Sequence, residues 1–112
     1  MSVSSAFTPL GNTIAITAAV SAPTPVQAPC NSLGGNQYRI INAGSVTAFL
    51  GYGKTAAEAT ANAVIPTTGN ATFCIPLLAG TDEALSFLPN AYFTAVTGSS
   101  TATVYITNGD GL

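Results

Sequence analysis

The run TATVYIT (Thr101 to Thr107) alternates strictly, with Ala102, Val104 and Ile106 on one side of an extended chain and Thr101, Thr103, Tyr105 and Thr107 on the other. Successive side chains of a strand point to opposite faces, so this pattern fits a half-buried strand and no helix. TIAITAAV (Thr13 to Val20) repeats it, placing Ile14, Ile16 and Ala18 against Thr13, Ala15 and Thr17. NQYRIIN (Asn36 to Asn42), SVTAFLG (Ser45 to Gly51), ATFCI (Ala71 to Ile75), ALSFL (Ala84 to Leu88) and AYFTAV (Ala91 to Val96) are further β-branched or aromatic runs of strand length.

Turn residues separate these runs. NAGS (Asn42 to Ser45) predicts a tight hairpin, SLGGN (Ser32 to Asn36) and TGSS (Thr97 to Ser100) glycine-bearing turns, and LPNA (Leu88 to Ala91) a proline-initiated turn. The chain therefore reads as all-β: a single-domain β-sandwich of about seven or eight short strands, jelly-roll or immunoglobulin-like. The 112 residues suffice for one domain spanning 1–112, with 1–12 open to reading as an extended N-terminal arm. SAPTPVQAPC (Ser21 to Cys30) carries three prolines and reads as an extended connection or a protected sheet edge.

One stretch breaks the two-residue period. In KTAAEATANA (Lys54 to Ala63), Thr55 precedes Glu58 by three residues in a capping-box pattern, and alanines follow. A helical segment of about two turns near 55–62 is the expectation, with an irregular loop as the alternative, because so short a helix depends on packing.

Charge is scarce. The chain has two Lys or Arg, four Asp or Glu and no His, a net charge of -2, while 47% of residues are hydrophobic. Disorder goes with low hydrophobicity and high net charge, the reverse of this balance. A surface of hydroxyls, amides and small apolar groups with so little self-repulsion favours association. Two cations cannot form the basic stripe that nucleic acid requires. Thr13 to Ala22 is a poor signal peptide, with no Lys or Arg before it, and no 18 apolar residues run together to suggest a membrane helix.

Reactive groups are equally few. General acid-base catalysis draws most often on His, and the acids are Glu58, Asp82, Glu83 and Asp110, two of them neighbours that point apart if extended. Cys30 and Cys74 lack a histidine base and cannot complete a zinc set; they are buried free thiols or one disulfide. NGDG (Asn108 to Gly111) offers one acid, short of the oxygens calcium takes. The glycines of LGG and GYG are not read as a phosphate loop, since no strand-to-helix Rossmann unit surrounds them. Neither a catalytic residue, a cofactor nor a metal is expected.

The stretch QYRIINAGSVTAFLGYGKTAAEATANAVIP, followed by a β-rich half ending TATVYITNGDGL, resembles the capsid decoration (cement) proteins of tailed bacteriophages over Gln37 to Leu112. The resemblance implies a homo-oligomeric jelly roll or related β-sandwich, dimer or trimer, that clamps neighbouring subunits of the major capsid protein on the virion exterior. The poor signal peptide leads to the expectation of assembly in the host cytoplasm, and the charge and hydropathy above to that of no nucleic-acid or membrane partner. The interface candidates are Phe7, Pro9 and Leu10, apolar in a polar leader, as a docking arm or a strand closing its own sheet, and Tyr52, as an exposed loop aromatic or a packed turn tyrosine. Arg39 and Lys54 are expected to pair with Glu58 or with an acid on a partner. The alternative function is a receptor- or glycan-binding module of a head or tail fibre, which requires a concave aromatic site. A pilus subunit is a third reading and requires a Cys30–Cys74 disulfide.

Overall fold

The computed structural model describes residues 8–28 and 36–110. Among these residues eight strands and one helix follow in the order β1 (Thr8–Ala18), β2 (Val26–Gln27), β3 (Gln37–Asn42), β4 (Ala48–Gly53), α1 (Ala56–Asn62), β5 (Ile75–Leu77), β6 (Asp82–Ser86), β7 (Tyr92–Thr97) and β8 (Ala102–Asp110). They form two four-stranded sheets, β1-β8-β3-β6 and β2-β7-β4-β5. β1 pairs antiparallel with β8, β2 with β7, β3 with β6 and β4 with β5. This nesting, first with last and inward to the middle, is a long hairpin rolled into two sheets, the jelly-roll sandwich.

Every connection between consecutive strands except the one from β4 to β5 therefore changes sheet. The expected hairpin across Asn42 to Ser45 is one of these crossings, because β3 and β4 lie in different sheets. Asn42 decides the difference. Its fully buried side chain donates from Nδ2 to the carbonyls of Val46 (3.0 Å) and Leu77 (2.8 Å), and its Oδ1 accepts from the Gly44 amide (2.9 Å). Its backbone also bonds Thr81 O and Gly80 N, both at 2.9 Å. Gly44 passes against β8 so closely that a Cβ there would lie 2.5 Å from that of Ala102.

At the other end of β3, the buried Tyr38 hydroxyl donates to Leu88 O at 2.8 Å and accepts from Ala91 N at 3.3 Å. It fixes the β6–β7 crossing, whose turn contains Asn90 at φ 57. Between these ends the core holds Ile16, Ile40, Leu50, Leu77, Phe93, Val104 and Ile106 with six alanines. Phe93, Tyr38 and Phe87 pack as tilted and edge-on rings with centroids 5.1 to 5.8 Å apart, supplying bulk that the alanines lack.

The helix forms where the capping pattern placed it. Thr55 is the N-cap, its Oγ1 accepting from Glu58 N at 3.2 Å, while Glu58 Oε1 accepts from Lys54 N at 2.9 Å. It rests on β4, and here the expected Gly-Tyr-Gly turn proves to be strand. A Cβ on Gly51 would sit 2.5 Å from Ala63 N, and one on Gly53 2.4 Å from Glu58 Cβ, so the glycines let the helix lie against the sheet. The expected strand over 71–75 is also displaced: residues 71–74 are irregular and β5 begins at Ile75. The proline-rich segment yields β2, a two-residue edge strand. Among the described residues no helix is long and apolar enough to cross a membrane.

Two substitutions probe this scaffold. Asn42→Ala strands the buried Leu77 carbonyl together with the partly buried Val46 carbonyl and Gly44 amide, and is expected to cost about 3 kcal/mol or more and lower the melting temperature by about 10 °C or more. Gly51→Val overpacks the α1–β4 contact and is expected to cost about 2 kcal/mol, with hydrogen exchange accelerated in α1 rather than in β8.

Candidate contact surface

The two sheets present different exteriors. On the β2-β7-β4-β5 sheet, α1 covers the outward glycines of β4, and the buried Thr94 of β7 donates from Oγ1 to Pro23 O at 2.8 Å. The outer face of the β1-β8-β3-β6 sheet is open. Strand register arranges it in rows: Thr13 opposite Thr107, Thr107 opposite Arg39 and Arg39 opposite Ala84; then Ala15 opposite Tyr105, Tyr105 opposite Ile41 and Ile41 opposite Asp82. Thr17 opposite Thr103 extends it. These are the outward positions that alternation assigned to β1 and β8, and Ile16, Ala18, Ala102, Val104 and Ile106 point into the core as expected.

Tyr105, 40% exposed, stands in the middle of this face. Thr13 and Thr107 satisfy each other, their hydroxyl oxygens 2.6 Å apart. Arg39 and Asp82 close the far side of the face with a two-pronged pair, Nε to Oδ1 at 2.9 Å and Nη2 to Oδ2 at 2.6 Å. Within the chain, Asp82 rather than Glu58 is thus the acid that Arg39 meets. Glu58 caps the helix instead.

The pair perturbs both titrations. The hydrogen bonds from Arg39 hold the Asp82 carboxyl below its ordinary value, and the hydrogen bond and charge of Asp82 raise Arg39. Because both side chains are about half exposed, the contribution to stability is small and screened by salt. Glu83, next along β6, takes the other side of the strand, as its neighbour relation predicts: it is opposite the core residue Ile40, while Asp82 is opposite the outward Ile41.

The interface candidates from the sequence are dispersed. Phe7 lies outside the described residues. Pro9 is exposed and Pro9 and Leu10 belong to β1, which runs from Thr8 and pairs Pro9 with Gly109. Tyr52 sits within β4, half-buried, its ring 4.2 Å from Phe87 and 5.3 Å from Phe73. Phe73, 60% exposed, is the outer end of an aromatic row that runs through Tyr52 and Phe87 to Tyr38 and Phe93. Tyr52 is thus a packed strand residue, and Phe73 is the exposed aromatic of that region.

Among the described residues no group of three His, Cys, Asp or Glu side chains gathers to hold a metal. Asn108 to Asp110, the start of the NGDG stretch, continue β8. Cys74 is a half-buried free thiol 3.4 Å from Thr72 Oγ1 and lies just before β5 rather than in a strand core. Cys30 falls outside the described residues, as does most of the Ser32 to Asn36 turn. Comparison with protein-family models, curated proteins and solved structures gave no match.

The Arg39–Asp82 pair sets a pH dependence of known sign. A carboxyl whose folded pKa is depressed stabilises the fold above its unfolded value and loses that contribution as pH falls through the folded one. In carboxyl carbon NMR, Asp82 is expected to titrate below an ordinary aspartate, and Arg39→Gln should return its midpoint to the ordinary range.

Proposed function

We propose that this chain is a non-enzymatic structural protein of a tailed-phage virion that binds the capsid exterior and cements neighbouring major capsid subunits. The observation that carries the reading is the open outer face of the β1-β8-β3-β6 sheet, built from Thr, Ala, Tyr and Ile, with its only opposite charges already paired. Burying such a face strips water from few charges, so little desolvation opposes contact. A protein that binds the assembled lattice and not its separate subunits shifts assembly toward the shell by mass action, and needs area and symmetry rather than a reactive centre. The resemblance of Gln37 to Leu112 to cement proteins and the jelly roll itself agree with this role.

The glycan-binding alternative has less support. A carbohydrate platform needs convergent aromatics in a concavity, and the exposed Phe73 lies in an irregular segment against Tyr52 of β4 whereas Tyr105 stands on β8 of the other sheet.

Electron cryo-microscopy of virions carrying this protein tests the reading. Density for the jelly roll is expected at fixed symmetry positions outside the shell, with Tyr105 turned toward capsid subunits. Tyr105→Glu should leave the melting temperature within about 2 °C, as for an exposed site away from the core, yet strip the protein from particles. Finding it only on tails, or retained in full despite Tyr105→Glu, refutes the proposal.

A further inference from the structure

A β-sandwich has four sheet edges, and exposed edges invite pairing unless something blocks them. Three are blocked here. β2 has two residues and follows Pro25; β5 has three, the middle one Pro76; β6 carries Asp82 and Glu83, and Glu83 puts its charge on the core-facing side of the strand. Each is a device that defeats strand addition. β1 differs. It has 11 residues, is outermost in its sheet, and among the described residues it pairs only with β8. Its one proline, Pro9, lies before the register irregularity that ends at Thr13, and from Thr13 to Ala18 the ladder is regular and without charge.

The exposed stretch is also a palindrome. Thr13-Ile14-Ala15-Ile16-Thr17 reads the same in both directions about Ala15. An antiparallel copy related by a two-fold axis through Ala15 sets Ala15 against Ala15, Ile14 against Ile16 and Thr13 against Thr17. Every contact joins like to like in chemistry, as an isologous interface requires. The inward pairs join Ile14, which its own sheet leaves half-buried, to the buried Ile16. The outward pairs bring together threonines, which bond across strands as Thr13 and Thr107 already do. No charge is opposed, whereas two copies of β6 would set acids against each other.

We propose that the occupant of the β1 edge is a second copy of this chain, paired antiparallel through Thr13 to Thr17, joining two four-stranded sheets into one of eight. Alternation of antiparallel bonds gives about four to six interchain hydrogen bonds over this stretch. The contact is smaller than the roughly 800 Å² per partner of a standard interface, so sedimentation is measured up to about 200 µM. The inference specifies the register of self-association and stands on β1 alone. A virion lacking the protein would leave it intact, and a monomer in solution would leave the capsid reading intact.

Position 15 reads the register directly, because it faces itself across the axis and its side chain is exposed. By sedimentation velocity the native protein is expected to dimerise. Ala15→Lys and Ala15→Glu are each expected to weaken the dimer at least tenfold through like charges directly opposed. An equimolar mixture of the two should restore a dimer that native mass spectrometry shows to contain one of each. Should either variant lose its β-sheet circular dichroism, hydrogen exchange of the native protein decides instead: outward amides of residues 13–17 gain protection as concentration rises. A native monomer at 200 µM, a dimer indifferent to charge at position 15, a mixture that fails to pair, or exchange independent of concentration overturns the proposal.

Discussion

The buried amide of Asn42 holds together the place where the two sheets exchange the chain. Its side chain bonds the β3–β4 crossing at Gly44 and Val46 and the end of β5 at Leu77, and its backbone bonds the β5–β6 connection at Gly80 and Thr81. A buried polar group is tolerated when its bonding capacity is used, and here the Oδ1, the Nδ2 and both backbone groups have partners. Tyr38, four residues earlier on β3, does the same for the β6–β7 crossing. Two residues of one strand thus carry the polar fastenings of three crossovers. Sheet pairing and sheet crossing are determined together.

From that junction follows the unequal treatment of the two exteriors. The link from β4 to β5 stays within its sheet, so α1 folds back onto that sheet, and Gly51 and Gly53 remove the side chains that would hold it away. β1, β8, β3 and β6 receive no such cover. Their outer positions must meet water or another protein, and threonine, with a methyl for packing and a hydroxyl for cross-strand bonding, suits both.

The alternation of TATVYIT and TIAITAAV was legible because a half-buried strand imposes its period locally, and the inward and outward residues of β1 and β8 follow it. The Thr55–Glu58 cap was legible for the same reason, since its bonds lie within one turn. The hairpin reading of Asn42 to Ser45 failed because a short polar link serves a turn and a sheet crossing alike; what separates them is a bond from Asn42 to Leu77, 35 residues away. Gly51 and Gly53 suggested a turn because glycine's commonest use is local, whereas their role is to admit a helix. The contact face was half legible. Thr13, Ala15, Thr17 and Tyr105 could be assigned outward, but only the order β1-β8-β3 makes them one surface, and no sequence period conveys strand order. Phe7, Pro9, Leu10 and Tyr52 were selected as apolar residues in polar or glycine-rich surroundings, a criterion blind to Phe73 and Phe87, whose rings pack on Tyr52.

Scarcity of charge has a structural counterpart beyond composition. Covering a face costs free energy mainly where polar groups lose water without gaining partners. On this face Thr13 and Thr107 already share a hydrogen bond, and Arg39 and Asp82 already neutralise each other. A surface prepared in this way can be buried with few new bonds demanded of its partner, so specificity must come from shape and symmetry. Repetition supplies what each contact lacks in strength, because engaging two sites at once makes the second encounter intramolecular. A sheet extended through β1 would present two such faces in fixed relation, and the geometry of the pair, rather than any single side chain, would then determine which surfaces it fits.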